Sequence, residues 1–283
     1  IKACRPSSQN GCNALGAWTP FCSALQPFWD EGRHALIALR SPQEIEKIYA
    51  ACQVVAEILS RLEEHIRPGV TTLDLNDLSE DLAAQKKAKP AFKGYNGYPY
   101  ALCTSVNEEV VHGMPSRKRV LWEGDIISID FGVVMDDYYG DAAITVPVGQ
   151  VSDEAKALCR VTEASLYEGI RQAVVENHLS DISYAIQSYV ESRGFSVVRE
   201  FVGHGIGRRL HESPQIPNYG PPGKGVRLKP GMVLAIEPMI NAGRPDVQVL
   251  EDHWTAVTVD RQLSAHFEHT IAVTENGPRI LTR

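Results

Sequence analysis

The sequence predicts an α+β protein of two related halves, each of which packs two helices against an antiparallel sheet. Two observations support this prediction: helical patterns occur in two pairs, and each pair precedes short apolar segments typical of strands. Direct sequence identity between the halves is faint, so the repeat is inferred from the order of the elements. Of the 283 residues, 43% are hydrophobic and 22% are charged, an ordinary balance for a globular protein.

The first helix pair marks the start of the predicted domain. Residues 41–44 (Ser-Pro-Gln-Glu) combine an N-cap hydroxyl, proline at the first helical position and glutamate at the third. Apolar residues then recur at helical spacing, and Pro68-Gly69 ends the pattern. A second helix is expected from about Thr72 to Lys87, with leucines along one face.

The second half repeats this order. Residues 152–154 (Ser-Asp-Glu) open a third helix, and a fourth is expected from about Ser180 to Arg193. The first pair is followed by strand patterns at 101–106 and by a hairpin within 126–149. The second pair is followed by strand patterns at 195–202, 232–239 and 267–273.

Residues 1–40 differ from the rest of the chain. They contain scattered Gly, Pro, Ser and Cys without a sustained hydrophobic period, and they lack the features of a secretory signal. We therefore expect an irregular N-terminal leader over residues 1–40 and one folded domain over residues 41–283. A metal-binding or ribosome-docking role for the three leader cysteines is the weaker alternative.

Composition excludes some function classes. The net charge of −7 disfavours a surface built to bind nucleic-acid phosphates. No apolar run approaches the roughly twenty residues that cross a bilayer. The six cysteines form no C-x-x-C pair, so reduced thiols in a cytoplasmic protein are the simpler interpretation.

Two aspartates interrupt the apolar hairpin. Asp130 follows three isoleucines and Asp141 precedes Ala-Ala-Ile, on adjacent strands joined through residues 135–137. Cross-strand neighbours place their side chains roughly 5 Å apart on one face of a sheet. Two buried carboxylates at that separation repel each other, so either one is protonated, as in an acid dyad, or a cation lies between them.

The second half offers further metal ligands beside apolar strand patterns. His204 lies between two glycines, Glu237 ends one strand pattern and Glu268 begins another. Carboxylates with one imidazole suit Mn, Fe, Co or Zn, and four carboxylates are balanced better by two divalent ions than by one. The predicted metal ligands are Asp130, Asp141, His204, Glu237 and Glu268.

Four motifs, in this order, resemble the methionine aminopeptidases of the bacterial type I group: IDFG…YGDAA, GHGIG…HESP, IEPM and FEHT. The resemblance covers residues 37–282. It implies the pita-bread fold, in which two pseudo-twofold related halves surround a dimetal site. It also implies a hydrolase that removes the initiator methionine from nascent polypeptides and prefers a small second residue.

The resemblance assigns roles to the ligand residues. Asp130 would chelate one ion, Asp141 and Glu268 would bridge both, and His204 and Glu237 would complete the coordination shell of the other ion. Glu237 would also shuttle the proton of the attacking water.

The resemblance also assigns two histidines and a specificity pocket. His211 would hydrogen-bond the scissile carbonyl, and His112 would contact the nitrogen of the scissile peptide. Aromatic walls and a thiol suit a methionine thioether. Leu210 stands where these enzymes often carry Phe, which leaves the pocket looser. The predicted substrate-binding residues are Phe92, Tyr95, Tyr98, Cys103, His112, Leu210, His211 and Trp254.

The other histidines are expected to face solvent or to form local hydrogen bonds. His269 directly follows a predicted ligand, so its side chain should point to the opposite face of the strand. The histidines in this class are His34, His65, His178, His253, His266 and His269.

Three alternative functions remain open. A relative that cleaves Xaa-Pro bonds, such as aminopeptidase P or prolidase, would usually carry an N-terminal domain larger than residues 1–40 can form. A non-catalytic binding protein of the same fold would have lost ligands, and here all five are present. A nucleic-acid partner is disfavoured by the acidic charge. The expected partners are polypeptide N-termini, with the ribosome as a further candidate, and the family suggests a monomer.

Overall fold

The computed structural model describes residues 36–283. Most of the predicted leader, His34 and the cysteines at positions 4, 12 and 22 lie outside the described residues. Residues 36–40 lead into the first helix, and Arg40, the last position of the predicted leader, already packs against the domain: its backbone N–H donates to Gly231 O at 2.7 Å.

The first helix pair begins where the sequence predicts. Helix α1 spans Pro42–His65 and starts at a capping box, in which Ser41 Oγ accepts from the Glu44 N–H and the Glu44 carboxylate accepts from the Ser41 N–H. Helix α2 spans Thr72–Gln85 and is capped in the same way by Thr71 and Asp74. Both helices end about two residues before the predicted boundaries, within the usual fraying of helix ends.

The second pair has the same form. Helix α3 spans Asp153–Arg171 and is capped by Ser152 Oγ, which accepts from the Ala155 N–H at 3.1 Å. Helix α4 spans Leu179–Glu191. Among residues 36–283, no helix combines the length and the apolar character needed to cross a membrane.

The described chain also has a short 3-10 helix at Tyr95–Gly97. Its fifteen strands are β1 Lys89–Pro90, β2 Leu102–Val106, β3 Glu109–Val111, β4 Ile126–Met135, β5 Tyr138–Pro147, β6 Ser196–Val197, β7 Gly203–Gly205, β8 Glu212–Ile216, β9 Val233–Ile236, β10 Met239–Asn241, β11 Val247–Val249, β12 Ala256–Thr258, β13 Ser264–His266, β14 Glu268–Thr274 and β15 Gly277–Ile280. The predicted strand at 195–202 is therefore shorter than expected. The predicted strand at 232–239 is split at Glu237-Pro238, because proline cannot donate to the hydrogen-bond ladder.

The two halves share one antiparallel sheet. Its strand order is β1-β4-β5-β14-β9-β7-β8, with β15 beside β14 and β2 beside β4. Strand β14 pairs with β5 of the first half and with β9 of the second, so it joins them. Two further sheets have three strands each, β13-β10-β6 and β11-β12-β3. The α+β prediction with antiparallel sheets is confirmed.

In the hairpin of β4 and β5, strand β4 carries core residues on one face and an acidic residue on the other. Asp136 and Asp137 form a two-residue turn with φ values of 47° and 64°, the backbone of a type I′ hairpin. Because side chains alternate along a strand, Ile129 and Phe131 face the apolar core beneath α1 and α2. Asp130 therefore points to the opposite face of the sheet.

Candidate metal centre and substrate pocket

The register of three strands brings acids together on one face of the central sheet. Asp130 on β4 pairs with Ala143 on β5, and Ala143 pairs with Glu268 on β14. Asp141 lies two residues from Ala143 on β5, so it points to the same side. Asp130 and Asp141 are therefore diagonal neighbours, and the small Ala143 leaves space between the outer acids.

Gly132 makes room for the Asp141 carboxylate. It pairs with Asp141 across the hairpin, and a Cβ at this position would lie 3.1 Å from Asp141 Oδ1 and 3.0 Å from Phe92 Cε1. Contacts this short are tighter than normal packing, so any side chain at position 132 would crowd both the carboxylate and the pocket wall.

His204 faces these acids from the second half. Its Nδ1 lies 2.9 Å from Gly205 O and donates to it, so the Nε2 lone pair points toward the carboxylates. Nε2 lies 3.5 Å from Glu237 Oε1 and 4.0 Å from Asp141 Oδ2. Ligand atoms of Asp141, His204 and Glu268 all lie within 4.8 Å of one another.

Burial makes this a costly place for negative charge. Burial raises the pKa of Asp130 to about 7. The pKa values of Asp141, Glu237 and Glu268 are also raised, first by burial and then by the neighbouring carboxylates. One oxygen of each of the four acids is buried without a hydrogen-bond partner in the described chain. Such oxygens require protons or cations, and burial keeps His204 neutral by lowering its pKa to about 4, so the donor set fits divalent ions.

Metal binding should therefore release protons. All four acids have raised pKa values, that of Asp130 at about 7, and they must lose their protons to bind ions, so affinity should fall as pH falls. Calorimetry of Co²⁺ binding at about pH 6 and about pH 8, in two buffers of different ionisation enthalpy, measures both effects. Equal heats in both buffers together with pH-independent affinity would contradict the expected exchange of protons for ions.

A pocket opens beside the acids. It encloses about 460 Å³ of space, part of which is open to solvent. Trp254, which was also predicted, is not part of this wall; its ring packs edge-on against Tyr98 at 5.1 Å. The residues lining the pocket are Phe92, Tyr95, Tyr98, Cys103, His112, Asp130, Asp141, His204, Leu210, His211, Glu237 and Glu268, all of them predicted site residues.

Two further imidazoles face the pocket. His211 Nδ1 lies 2.8 Å from the Tyr95 hydroxyl, and the His211 ring centroid lies 4.3 Å from that of His204. His112 has a φ of 60°, and its ring meets Phe201 edge-on at 5.3 Å. Burial lowers the pKa of His112 to about 4 and also lowers the pKa of His211, so both rings are neutral near pH 7.

The loop that carries His211 is tied to the start of the domain. The Glu212 carboxylate accepts from the backbone N–H groups of Arg208 and Arg209 at 2.9 and 3.0 Å. It also forms an ion pair with the buried guanidinium of Arg40. No local pattern in the sequence indicates this pair, because its members are 172 positions apart.

The structure places His266 differently from the prediction. His266 was expected to face solvent or bond locally, but it is only 2% exposed and its Nε2 lies 3.7 Å from Glu237 Oε2. Its position two residues before Glu268 was the available signal, because such residues share a strand face. The prediction for His269 is confirmed: its Nε2 lies 3.2 Å from the Tyr167 hydroxyl and its Nδ1 lies 2.8 Å from Thr282 Oγ1.

Comparisons with known proteins identify the family of this chain. The model of metallopeptidase family M24 matches residues 46–275. Methionine aminopeptidase 1 of Bacillus subtilis (strain 168) is 55% identical over 248 residues, which cover 88% of this chain and 100% of that protein. The methionine aminopeptidase of Escherichia coli (strain K12) is 44% identical over 247 residues, 87% of this chain and 94% of that protein.

Solved structures show the same relationship. A crystal structure of methionine aminopeptidase from Thermotoga maritima has a TM-score of 0.87 and 52% identity, covering 88% of this chain and 100% of that one. The prolidase from Pyrococcus horikoshii OT3 has a TM-score of 0.72 at 22% identity and covers 88% of this chain and 64% of that one, which shows a shared fold alone. The pita-bread prediction is confirmed. The chain therefore belongs to metallopeptidase family M24, in which it groups with the methionine aminopeptidases.

Proposed function

We propose that this chain is a metalloexopeptidase that removes the N-terminal methionine from polypeptides and prefers a small second residue. The observation that carries the proposal is the convergence of five candidate metal ligands, two neutral imidazoles and an apolar wall on one pocket. An Xaa-Pro peptidase is not favoured, because the relatives of that kind share only the fold at 22% identity.

The ligand set would hold two divalent ions. Asp141 and Glu268 would bridge them, with Asp130 on one ion and His204 and Glu237 on the other. Four carboxylates with unpartnered oxygens support this charge balance, and Mn, Fe, Co and Zn all suit the ligands. When bound, the ions would lower the pKa of a water molecule toward neutrality and so supply the nucleophile.

His211 would act on the carbonyl oxygen of the scissile bond. With the Tyr95 hydroxyl donating to Nδ1, the single proton of the neutral ring lies on Nε2. Burial raises the pKa of Tyr95, so that hydroxyl keeps its proton. An N–H of His211 would then stabilise the tetrahedral oxyanion. His112 would contact the nitrogen of the scissile peptide from another part of the pocket lining.

Glu237 would hold the proton that moves during hydrolysis. Its raised pKa brings the carboxylate toward the range in which it can take a proton from water and return it to the leaving amine. It adjoins the ligand cluster through Oε1, 3.5 Å from His204 Nε2.

The apolar wall would bind the methionine side chain. Phe92, Tyr95, Tyr98 and Leu210 supply aromatic and aliphatic surface. Burial raises the pKa of the Cys103 thiol well above its usual value, so it stays neutral and polarizable beside a thioether. Trp254 would support this wall through its contact with Tyr98.

The proposal includes a cellular setting. The substrates would be the N-termini of nascent polypeptides, and the chain would act as a cytoplasmic monomer without nucleic-acid specificity, with the ribosome as the candidate docking partner. The free thiols of the described cysteines, at positions 52, 103 and 159, support a reducing compartment.

A peptide assay tests the function directly. Metal-free protein should be inactive, and adding back Mn²⁺, Fe²⁺, Co²⁺ or Zn²⁺ in turn should restore cleavage of Met-Ala-Ser with at least one ion. Met-Phe-Ser should be a poor substrate because its bulky second residue would meet the pocket rim, and Ala-Pro-Ser because its alanine would leave the methionine pocket unfilled. Faster turnover of Ala-Pro-Ser than of Met-Ala-Ser would instead identify an Xaa-Pro peptidase.

A further inference from the structure

His266 faces one oxygen of Glu237. The ring is buried, and its Nε2 has no hydrogen-bond partner among residues 36–283. Nε2 lies 3.7 Å from Glu237 Oε2, whereas the other oxygen, Oε1, lies 3.5 Å from Nε2 of His204. The Glu237 carboxylate therefore lies between two imidazoles, one in the ligand cluster and one outside it.

The backbone of His266 is fixed on two sides. Its N–H donates to Thr145 Oγ1 at 2.9 Å, and the Thr145 hydroxyl donates to His266 O at 2.7 Å. Across β10 and β13, His266 pairs with Met239, two residues after Glu237. The neighbouring backbone therefore keeps the two side chains close to each other. A side-chain shift of roughly 0.5–1 Å would bring Nε2 and Oε2 within hydrogen-bond distance.

His266 is placed to hold a ligand rather than to be one. Nε2 of His204 lies near two of the predicted acidic ligands, Asp141 and Glu237, whereas among the acidic residues of 36–283 the Nε2 of His266 lies within 4.0 Å of Glu237 alone. Its nearest acidic oxygen is the Glu237 oxygen that faces away from His204.

We propose that His266 is a positioning residue for Glu237, donating its Nε2–H to Oε2 so that Oε1 faces the ligand cluster. The inference rests on the proposed function, in which Glu237 both holds an ion and carries a proton. A carboxylate with one oxygen hydrogen-bonded keeps a single orientation, and partners of this kind typically change metal affinity or activity about 10–100-fold when removed.

Two substitutions separate hydrogen bonding from packing. His266→Gln keeps an N–H donor at a similar reach, whereas His266→Leu keeps much of the volume and removes the donor. His269→Leu is the matched control. His269 is a largely buried histidine that directly follows the predicted ligand Glu268, but it bonds to Tyr167 and Thr282. Calorimetry with Co²⁺, the visible spectrum of bound Co²⁺, and kcat and KM for Met-Ala-Ser at saturating Co²⁺ are measured for each.

We expect His266→Leu to raise the Kd for Co²⁺ about 10–100-fold, to change the Co²⁺ spectrum and to lower kcat while KM stays the same. His266→Gln should recover most of the affinity and of kcat. His269→Leu should lower Tm and leave the Kd for Co²⁺ unchanged. Should His266→Leu fail to fold, His266→Asn, which is too short to reach Oε2, should show the same losses.

The contrary results are distinct. A donor-free variant at position 266 that matches the wild type in Kd and kcat overturns the inference. Equal losses for His266→Gln and His266→Leu also overturn it, because they show that the ring contributes volume rather than a hydrogen bond. A wild-type protein that neither binds Co²⁺ nor cleaves Met-Ala-Ser overturns the proposed function, and this inference with it.

Discussion

Asp141→Ala and Glu268→Ala should each abolish turnover and metal uptake together. Both side chains belong to the cluster whose ligand atoms lie within 4.8 Å, and in the proposed function both would bridge two ions. Removal of either one withdraws a shared ligand, so neither ion keeps a complete shell. Elemental analysis of the purified variants and the Met-Ala-Ser assay measure the two losses in parallel.

A second substitution at position 141 separates metal binding from folding. Asp141→Asn removes the charge but keeps the shape, and burial and Asp130 both make charge at Asp141 costly in the metal-free protein. We therefore expect metal-free Asp141→Asn to melt at or above the temperature of the metal-free wild type. Excess Co²⁺ should stabilise the wild type by about 2.7 kcal/mol at a concentration of 100 times Kd, and the variant far less.

Asp153→Ala provides the control for removing a carboxylate. Asp153 lies in the first turn of α3, fully exposed to solvent. It should keep wild-type metal content, turnover and response to Co²⁺. An Asp141→Ala protein that is folded and still takes up two ions would contradict the bridging role.

Alternation along β4 explains why the acids could be found from sequence. A strand that buries Ile129 and Phe131 on one face leaves Asp130 on the other. Only a partner of opposite charge or a proton offsets the free-energy cost of burying that carboxylate. The same reasoning applies to Glu268 at the start of β14. Local pattern and charge were enough to find these acids, because each carboxylate lies within its own apolar segment.

Pairing between distant strands could not be predicted from the sequence. The contact of β14 with β5 joins residues more than a hundred positions apart, and no local pattern indicates it. The Arg40–Glu212 ion pair was missed for the same reason. His266 was missed because it was considered as a lone histidine, whereas its role depends on the placement of Glu237. The break before Pro238, in contrast, follows from a rule that the sequence makes available.

His211→Ala should lower kcat for Met-Ala-Ser about 10²–10³-fold, the cost of losing one oxyanion donor. Metal uptake should stay close to wild type, because His211 contacts His204 through its ring and is not one of the five predicted ligands. Steady-state kinetics at saturating Co²⁺ and calorimetry of Co²⁺ binding separate the two effects.

Tyr95→Phe provides the graded comparison. It keeps the aromatic wall and the imidazole but removes the hydroxyl 2.8 Å from His211 Nδ1. Its kcat should fall between those of the wild type and His211→Ala, because the ring stays in place while its preferred proton position is lost. Loss of metal together with activity in a folded His211→Ala protein would make His211 part of the metal centre. The oxyanion assignment would then lack its donor.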